Sequence, residues 1–427
     1  MRYSYNLPFI DKYQLLSWAK GFDNFMFQDA HRDVDPLYKS SFDFRLAVDS
    51  ICSLEVSDNA FHELSLFLDE PKNDWVFGGL SYDLKNELEE LYSRNSDKHG
   101  LAEMLFFVPK YIFQCIDGLL TLQSTVSLDI QVFIDQIKAA EIVFEELENV
   151  KVNASLNQTD YVQKIKEIQE KIQSGEIYEM NFCQNFFVED IHLEPLSLFH
   201  KLNENSKAPF STFFRFNDFY LLSASPERYL HKNGDKLISQ PIKGTRKRGH
   251  NNSEDASLRE ELRISQKDQI ENVMIVDLVR NDLSRVASKS SVEVTDLFGV
   301  YSFPHVHQMI STIECRLDEN KDFLDAIKCS YPMGSMTGAP KIRSMKLIER
   351  FEDFKRSFYS GSVGYFTPER DFDFNVVIRS LLYSDELNYL SFPVGGAITI
   401  DSSPEGEYEE CVIKIQGVLK ALNADLF

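Results

Sequence analysis

The feature that most limits how this chain can fold is a series of aromatic, β-favouring runs with little helix between them. "EIYEMNFCQNFFVE" and "FSTFFRFNDFYLLSASPERYL" stand before one long helical stretch, and "FYSGSVGYF", "DFNVVIRSLLYS" and "LNYLSFPVGGAITI" stand after it. β-Branched and aromatic side chains suit a pleated surface, and each run is bounded by turn residues. Strands in sequential runs, not alternating with helices, argue for large antiparallel sheets with helices outside, an α+β design and not a doubly wound one.

Length and composition fit that design. A chain of 427 residues exceeds one ordinary core, and 43% apolar with 13% aromatic residues can fill two or three, which excludes disorder. With 45 Lys+Arg against 67 Asp+Glu the net charge is −22, which repels nucleic acid and anionic membrane at long range. Only "PIKGTRKRG", Pro241 to Gly249, makes a basic patch, and it carries no aromatic residue on which a base could stack. The amino terminus, "MRYSYNLPFIDKYQLLSWAKGFDNF", has no apolar run of signal-peptide type, and no segment reaches the ~18 apolar residues of a membrane span, so the expected location is the cytoplasm. The six cysteines (Cys52, Cys115, Cys183, Cys315, Cys329, Cys411) show no C-x-x-C and no zinc-like spacing, which fits reduced, packed thiols.

The best internal boundary is the polar stretch Asn149 to Asp160. It divides a mixed region, residues 1–150, from a sharper one, residues 151–427. In the first, "NDWVFGGLSYDLKNELEEL" reads as a strand, a turn and an acidic helix. In the second, Thr159 is placed to cap a helix ended at Gly175, and one long helix is expected from Asp255 through "SQKDQIENVMIVDLVRNDLSRV". Pro340 reads as the first residue of a helix with Ile342, Met345 and Ile348 on one face.

Several polar residues stand where chemistry is possible. Glu407 and Glu410 lie three apart near a helix start, with Lys414 a turn further on and the small-residue turn "PVGGAITIDSSPE" just before. Carboxylates beside an anion-accepting turn suit a bridging Mg²⁺. Glu271, flanked by Ile270, Val273 and Met274, is the natural partner; the structural alternative is an ion pair with Arg280 or Arg285. Lys243 sits at a strand end beside Gly244 and Thr245. An amine acts as nucleophile only when desolvation or a nearby cation lowers its pKa, and Arg246, Lys247 and Arg248 are the candidate cations. Glu227 in "SASPER" is either a general acid or the partner of Arg228. Arg379, at the end of the apolar strand "FNVVIRS", calls for a planar anion such as a substrate carboxylate. His307, in "HVHQMIST", is either a substrate ligand or a satisfied core histidine. No Walker loop, G-x-G-x-x-G, H-E-x-x-H or G-x-S-x-G is present.

Taken in order, "GEIYEMNFCQ", "SASPER", "PIKGTRKRG", "ENVMIVDLVRNDLSRV", "HVHQMIST", "PMGSMTGAPK", "YSGSVGYF", "VVIRS" and "GGAITIDSSPEGEYEE" resemble the chorismate-utilising enzymes. That family includes anthranilate synthase component I, aminodeoxychorismate synthase component I, isochorismate synthase and salicylate synthase. The match runs from about residue 159 to 420; before it, only "FGGLSYDLKNELEEL" resembles the family. The resemblance implies two large antiparallel sheets packed as a sandwich, with the active site between them. It implies Mg²⁺ held by Glu271, Glu407 and Glu410. It implies substrate carboxylates bound by Tyr359, Arg379, Lys414, Gly244, Thr245 and the amides near Gly396 and Ala397, the last in place of a common glycine, with His307 as a further contact.

"PIKGT" is similar to the form of aminodeoxychorismate synthase, where anthranilate synthases resemble "PIAGT". In that subfamily the lysine matching Lys243 attacks C2 of chorismate while the glutamate matching Glu227 protonates the departing C4 hydroxyl. Ammonia then takes C4 and expels the lysine, giving 4-amino-4-deoxychorismate for para-aminobenzoate and folate biosynthesis. Relatives that add water use another lysine, at the place of Glu179 here, where amine-adding members carry glutamine. None of the six cysteines has the glycine-flanked setting of a glutaminase nucleophile, so the resemblance implies a separate glutamine amidotransferase subunit as the ammonia source. The alternatives are amination at C2, water addition giving isochorismate, and a non-catalytic chorismate-binding subunit. "DSICSLEV" lacks the Leu-Leu-Glu-Ser pattern of tryptophan-regulated anthranilate synthases.

Overall fold

The computed structural model describes residues 2–31, 41–69, 73–146 and 150–426. Its frame is one long antiparallel ladder between Phe44–Val56 and Met104–Ile116, interrupted by a bulge between Ser50 and Cys52. Two sheets grow from the two ends of this ladder.

At one end Phe44–Val56 pairs with Asn24–Asp29, which is followed across the sheet by Phe210–Phe216, Phe219–Ser225 and Ser380–Ser384. At the other end Met104–Ile116 pairs with Val76–Leu80, followed by Ser362–Phe366, Phe372–Val376, Arg228–Asn233, Lys236–Gln240 and Val306–Arg316. The last strand also carries Ile242–Lys247 and Glu293–Ser302. Every pairing in these two series is antiparallel, and both sheets combine strands from before and after residue 150. The fold is α+β, as the runs of strand-forming residues require.

Strand alternation explains the layering. Phe25, Phe213, Leu222 and Leu381 enter one core, with Tyr161, Ile165 and Ile168 of the Gln158–Gln173 helix against it. Their chain neighbours Met26, Phe214, Leu221 and Leu382 enter the other, which holds Leu230, Phe366, Phe372 and Phe374 of the second sheet. The second core therefore lies between the sheets, and helices cover the outside. A separate small sheet orders Gly338–Ala339, Glu179–Gln184 and Val394–Ile398.

Several local expectations need correction. The long helix is two, Asn252–Ile264 and Gln266–Ser284, because Ser265 turns extended (φ −64°, ψ 108°) and its hydroxyl caps the second through Asp268 N. Asn251, not Asp255, caps the first, and Asn157, not Thr159, caps Gln158–Gln173. Pro340 is the cap residue of Lys341–Phe351, and Ile342 faces solvent while Met345 and Ile348 are buried. The acidic helix after Val76–Leu80 is a single turn, Lys85–Leu88. In the boundary stretch, Asn149 lies outside the described residues, and Val150–Ala154 is a strand paired with Phe186–Val188 and, in parallel, with Ala424–Leu426. All six cysteines are free thiols.

The small sheet is tied to the loop before it by a buried ion pair. Arg356 Nε donates to Glu352 Oε2 at 2.8 Å, and its Nη atoms reach Met336 O at 2.8 Å and Asn181 O at 3.0 Å. Glu352 Oε1 accepts Cys183 N at 2.9 Å. Both side chains are 1% exposed. Removing one partner strands the other charge without water. Arg356→Ala is therefore expected to cost about 3–5 kcal/mol in urea unfolding, with Arg356→Lys recovering only part because it has no planar fork.

Candidate active site

A β-bulge sets the position of Lys243. In Ile242–Lys247 the register with Val306–Arg316 slips between Ile242 and Thr245, where Gly244 adopts φ +88°. A Cβ at Gly244 would stand 2.9 Å from the Asp268 carboxylate and from Leu262, so only glycine fits. Lys243 is thereby turned inward and is 9% exposed. Among the described residues it makes no ion pair or hydrogen bond, yet its charge acts on Glu179, Glu227, Glu271 and Glu410.

The cations next to it in sequence do not share its surroundings. Arg246 is bound to Glu261 at 2.8 Å and Asp268 at 3.1 Å, and Arg248 to Asp255 at 2.7 Å. Lys247 is exposed. The expectation that this cluster tunes Lys243 is corrected: it is turned to the Asn252–Ile264 helix and the start of the next.

Glu227 is not the partner of Arg228, which pairs instead with Asp373 at 2.9 Å and with Gln240. Its Oε1 accepts the Ser335 hydroxyl at 2.7 Å, from the turn that Arg356 fixes. Burial pushes the Glu227 carboxyl up to about 7, against the hydrogen bond from Ser335 and the charge of Lys243.

On the opposite wall the Pro404–Leu422 helix presents three charges to the edge strand Val394–Ile398. Lys414 Nζ meets Glu410 Oε1 at 2.6 Å and Gly395 O at 2.7 Å. Burial raises the Glu407 carboxyl, with a hydrogen bond from Ser402 opposing; the charge of Lys414 holds Glu410 low. A Cβ on Gly396 would stand 3.1 Å from Glu407 Oε2, 3.4 Å from Lys414 Nζ and 3.7 Å from Glu410 Oε1, so the missing side chain leaves a cradle bounded by two carboxylates. Ala397 follows on the same edge, half-exposed.

Glu271 faces this wall from the Gln266–Ser284 helix. Its flanks Ile270 and Val273 are exposed, so the apolar neighbours do not mark an inward face. Its companion is neither Arg280, which pairs with Asp277 at 2.8 Å, nor Arg285, but Lys267 one turn back at 3.8 Å. Burial pushes its carboxyl up to about 7. The charge of Lys267 acts on Glu271, Glu407 and Glu410 alike, so all three carboxylates lie within electrostatic reach of one ammonium. Among the described residues no three acidic, His or Cys side chains converge closely enough to cage a metal alone. An oxygen-only set around the Gly396 cradle does suit Mg²⁺, which takes one or two carboxylates and leaves positions for ligand oxygens.

Arg379 lies between Phe372–Val376 and Ser380–Ser384, not within a strand, at φ +53°. Such a backbone is uncommon for arginine and persists where the surroundings impose it. Although protein surrounds it closely, its side chain stays open to solvent, as on a cleft wall, and makes no ion pair among the described residues. Burial lowers its pKa, with Tyr359 and Glu410 opposing, which puts Tyr359 and Arg379 on the Glu410 wall. Thr245 is exposed beyond Gly244.

His307 does not join the set. Its Nδ1 meets Ser302 Oγ at 2.9 Å and its Nε2 meets Asp255 Oδ1 at 3.0 Å, so both ring nitrogens are engaged in a buried site. It is the satisfied core histidine. Sequence reasoning missed Ser335, which orients Glu227, and Lys267, although the i, i+4 spacing of Lys267 and Glu271 was visible.

Because the folded-state pKa of Glu227 lies above its unfolded value, folding favours its protonated form. That contribution is complete below about pH 4.5 and is lost as pH rises through 7. Glu227→Gln is expected to remove this loss, flattening the fall in unfolding free energy between pH 4.5 and 8 by on the order of 3 kcal/mol. Urea titrations of both proteins across that range measure it.

Comparison with known proteins gives the family and the fold. The chorismate binding enzyme family matches residues 40–420. The chain is 41% identical to aminodeoxychorismate synthase of Streptomyces griseus over 265 residues, 62% of this chain and 36% of that protein. It is 38% identical to aminodeoxychorismate synthase component 1 of Escherichia coli over 269 residues, 63% of this chain and 59% of that protein. It thus spans from about a third to three-fifths of these relatives. Anthranilate synthase component 1 of Cereibacter sphaeroides is 30% identical over 375 residues, 82% of this chain and 74% of that protein. In fold the chain resembles anthranilate synthase component I of Streptococcus pneumoniae, with a TM-score of 0.77 at 22% identity over 88% of this chain and 91% of that one. It also resembles the menaquinone-specific isochorismate synthase of Escherichia coli, with a TM-score of 0.78 at 19% identity over 99% and 94%. By sequence and by fold, the chain belongs to the chorismate binding enzyme family.

Proposed function

We propose that this chain aminates chorismate at C4, giving 4-amino-4-deoxychorismate for para-aminobenzoate and folate synthesis. It does so in the cytoplasm with Mg²⁺, using ammonia from a separate glutamine amidotransferase subunit. The observation that carries the reading is Lys243: a buried amine without an ion-pair or hydrogen-bond partner among the described residues, aimed by a bulge at a group of carboxylates. A lysine so placed for structural reasons would have an ion pair.

Lys243 Nζ attacks ring C2, the ring double bonds shift, and the C4–O bond breaks. Glu227, which holds its proton up to about 7, delivers it to the departing hydroxyl so that water leaves. Ammonia then attacks C4, the shift reverses, and the C2–Nζ bond breaks to free Lys243. One difficult substitution becomes two, and nitrogen is directed to C4. Arg379 receives a substrate carboxylate through its planar fork, with Tyr359 and Lys414 beside it. Glu271, Glu407 and Glu410 would hold Mg²⁺, which supplies positive charge for a carboxylate of the substrate. No helix of the described residues is long and apolar enough to cross a membrane.

Product identification by mass spectrometry and NMR from chorismate, Mg²⁺ and ammonium tests the reading. 4-Amino-4-deoxychorismate is expected; anthranilate or isochorismate as main product overturns it. Lys243→Ala should lose C4 amination and release C2-aminated product, whereas an unchanged product profile excludes the covalent route. Glu227→Gln should lower kcat by about 10²-fold or more with little change in KM for chorismate.

A further inference from the structure

The chemistry above leaves one carboxylate of the cluster without a task. Glu179, on the Glu179–Gln184 strand, is 1% exposed, and its Oε2 has no hydrogen-bond partner among the described residues. Burial raises its pKa and the charge of Lys243 opposes this. Every other carboxylate of the cluster has a companion: Ser335 for Glu227, Lys267 for Glu271, Ser402 for Glu407 and Lys414 for Glu410. The elements packed on Glu179 offer it no further cation. On the Lys341–Phe351 helix, Lys341 is turned to Asp282 and Arg343 to Glu176. The charged groups facing Glu179 are therefore Lys243 and, from the Gln266–Ser284 helix, Glu271. A buried carboxylate oxygen without a donor calls for a ligand that brings N–H or O–H groups.

We propose that Glu179 is the site where ammonium enters, and that it shuttles a proton from ammonium to Lys243. This rests on the amination reading and concerns its second half. An ammonium N–H donates to Oε2, the carboxylate takes that proton, and the ammonia left behind has a lone pair for C4. Before this step the C2-bound Nζ gives its extra proton to Glu227, which lost its own to the departing hydroxyl. As the new C–N bond forms and the C2–Nζ bond breaks, Glu179 then protonates the departing Nζ, so Lys243 leaves as a neutral amine and Glu227 is restored as well. Ammonium is consumed, the product carries a protonated amine at C4, and Glu179 and Lys243 are restored. The chain can thus use ammonium itself, the dominant form at neutral pH.

The test is the KM for total ammonium chloride in chorismate amination, measured from about pH 7 to pH 9. In the unaltered chain it should stay within about threefold. Glu179→Gln can use only free ammonia, so its KM should rise about tenfold for each unit that pH falls. Its KM for chorismate should be unchanged, and Glu179→Asp should bring the flat profile back. A tenfold slope in the unaltered chain overturns the shuttle without need of any variant, and so does a flat profile in Glu179→Gln. Aminated product with the wrong slope sinks the shuttle alone; product without nitrogen sinks the amination reading and the shuttle with it.

Discussion

The site hangs from the pairing of Arg356 with Glu352. Two charges taken out of water lose more than their attraction returns unless every donor and acceptor is also bonded. Here the guanidinium divides its donors between Glu352, Met336 O and Asn181 O, and the carboxylate takes Cys183 N as well. The Tyr82 ring, 4.6 Å from the guanidinium carbon, closes the remaining face. The consequence is geometric. The Gly334–Met336 turn and the Glu179–Gln184 strand cannot move independently, and they carry Ser335, which orients Glu227, and Glu179. A polar network, not apolar packing, ties the turn that orients Glu227 to the strand that carries Glu179.

An acidic protein that binds an anionic ring needs its cations close to the ligand, because a net charge of −22 opposes the approach. The cleft answers at short range. Among the described residues Arg379 makes no ion pair, and Lys414 is held by a carboxylate that a metal would also claim. In the proposed reaction the acidic wall would hold a divalent ion. Burial, separately, pushes the Glu227 carboxyl up to about 7, above the range of most carboxyls. Within one cleft, burial separates a proton donor, Glu227, from a charged carboxylate, Glu410, which Lys414 holds low.

Several strands after residue 150 were legible because aromatic alternation is a local signal, with Phe213 and Phe214 entering opposite cores as period two demands, but the central ladder of Phe44–Val56 with Met104–Ile116 was not read. The helix break at Ser265 was not legible either, since the stretch from Asp255 to Val286 reads as one long periodic segment and only the Ser265 cap reveals the stop. Glu271 was chosen for its apolar flanks, which turned out to be exposed; the residue joined the cleft for another reason, the placing of its helix beside Lys243. Arg379 was expected in a strand and stands at a positive φ between two, a backbone state that side-chain pattern does not encode. His307 had an ordinary local answer, two protein partners, and needed no ligand.

The separation of Lys243 from the basic residues that follow it turns on one register slip. In an unbroken strand, period two would put Lys243, Thr245 and Lys247 on one face and Arg246 and Arg248 on the other, with a lysine at the end of a solvated basic edge. The slip between Ile242 and Thr245 uncouples the two stretches, so the arginines find carboxylates on the neighbouring helices while Lys243 turns to the cleft. Gly244 is what permits it, since any side chain at φ +88° would strike the Asp268 carboxylate. The dipeptide Lys-Gly is thus a single device. The glycine makes the bulge, the bulge aims the amine, and the charged residues after it are spent on fastening the strand to its helices.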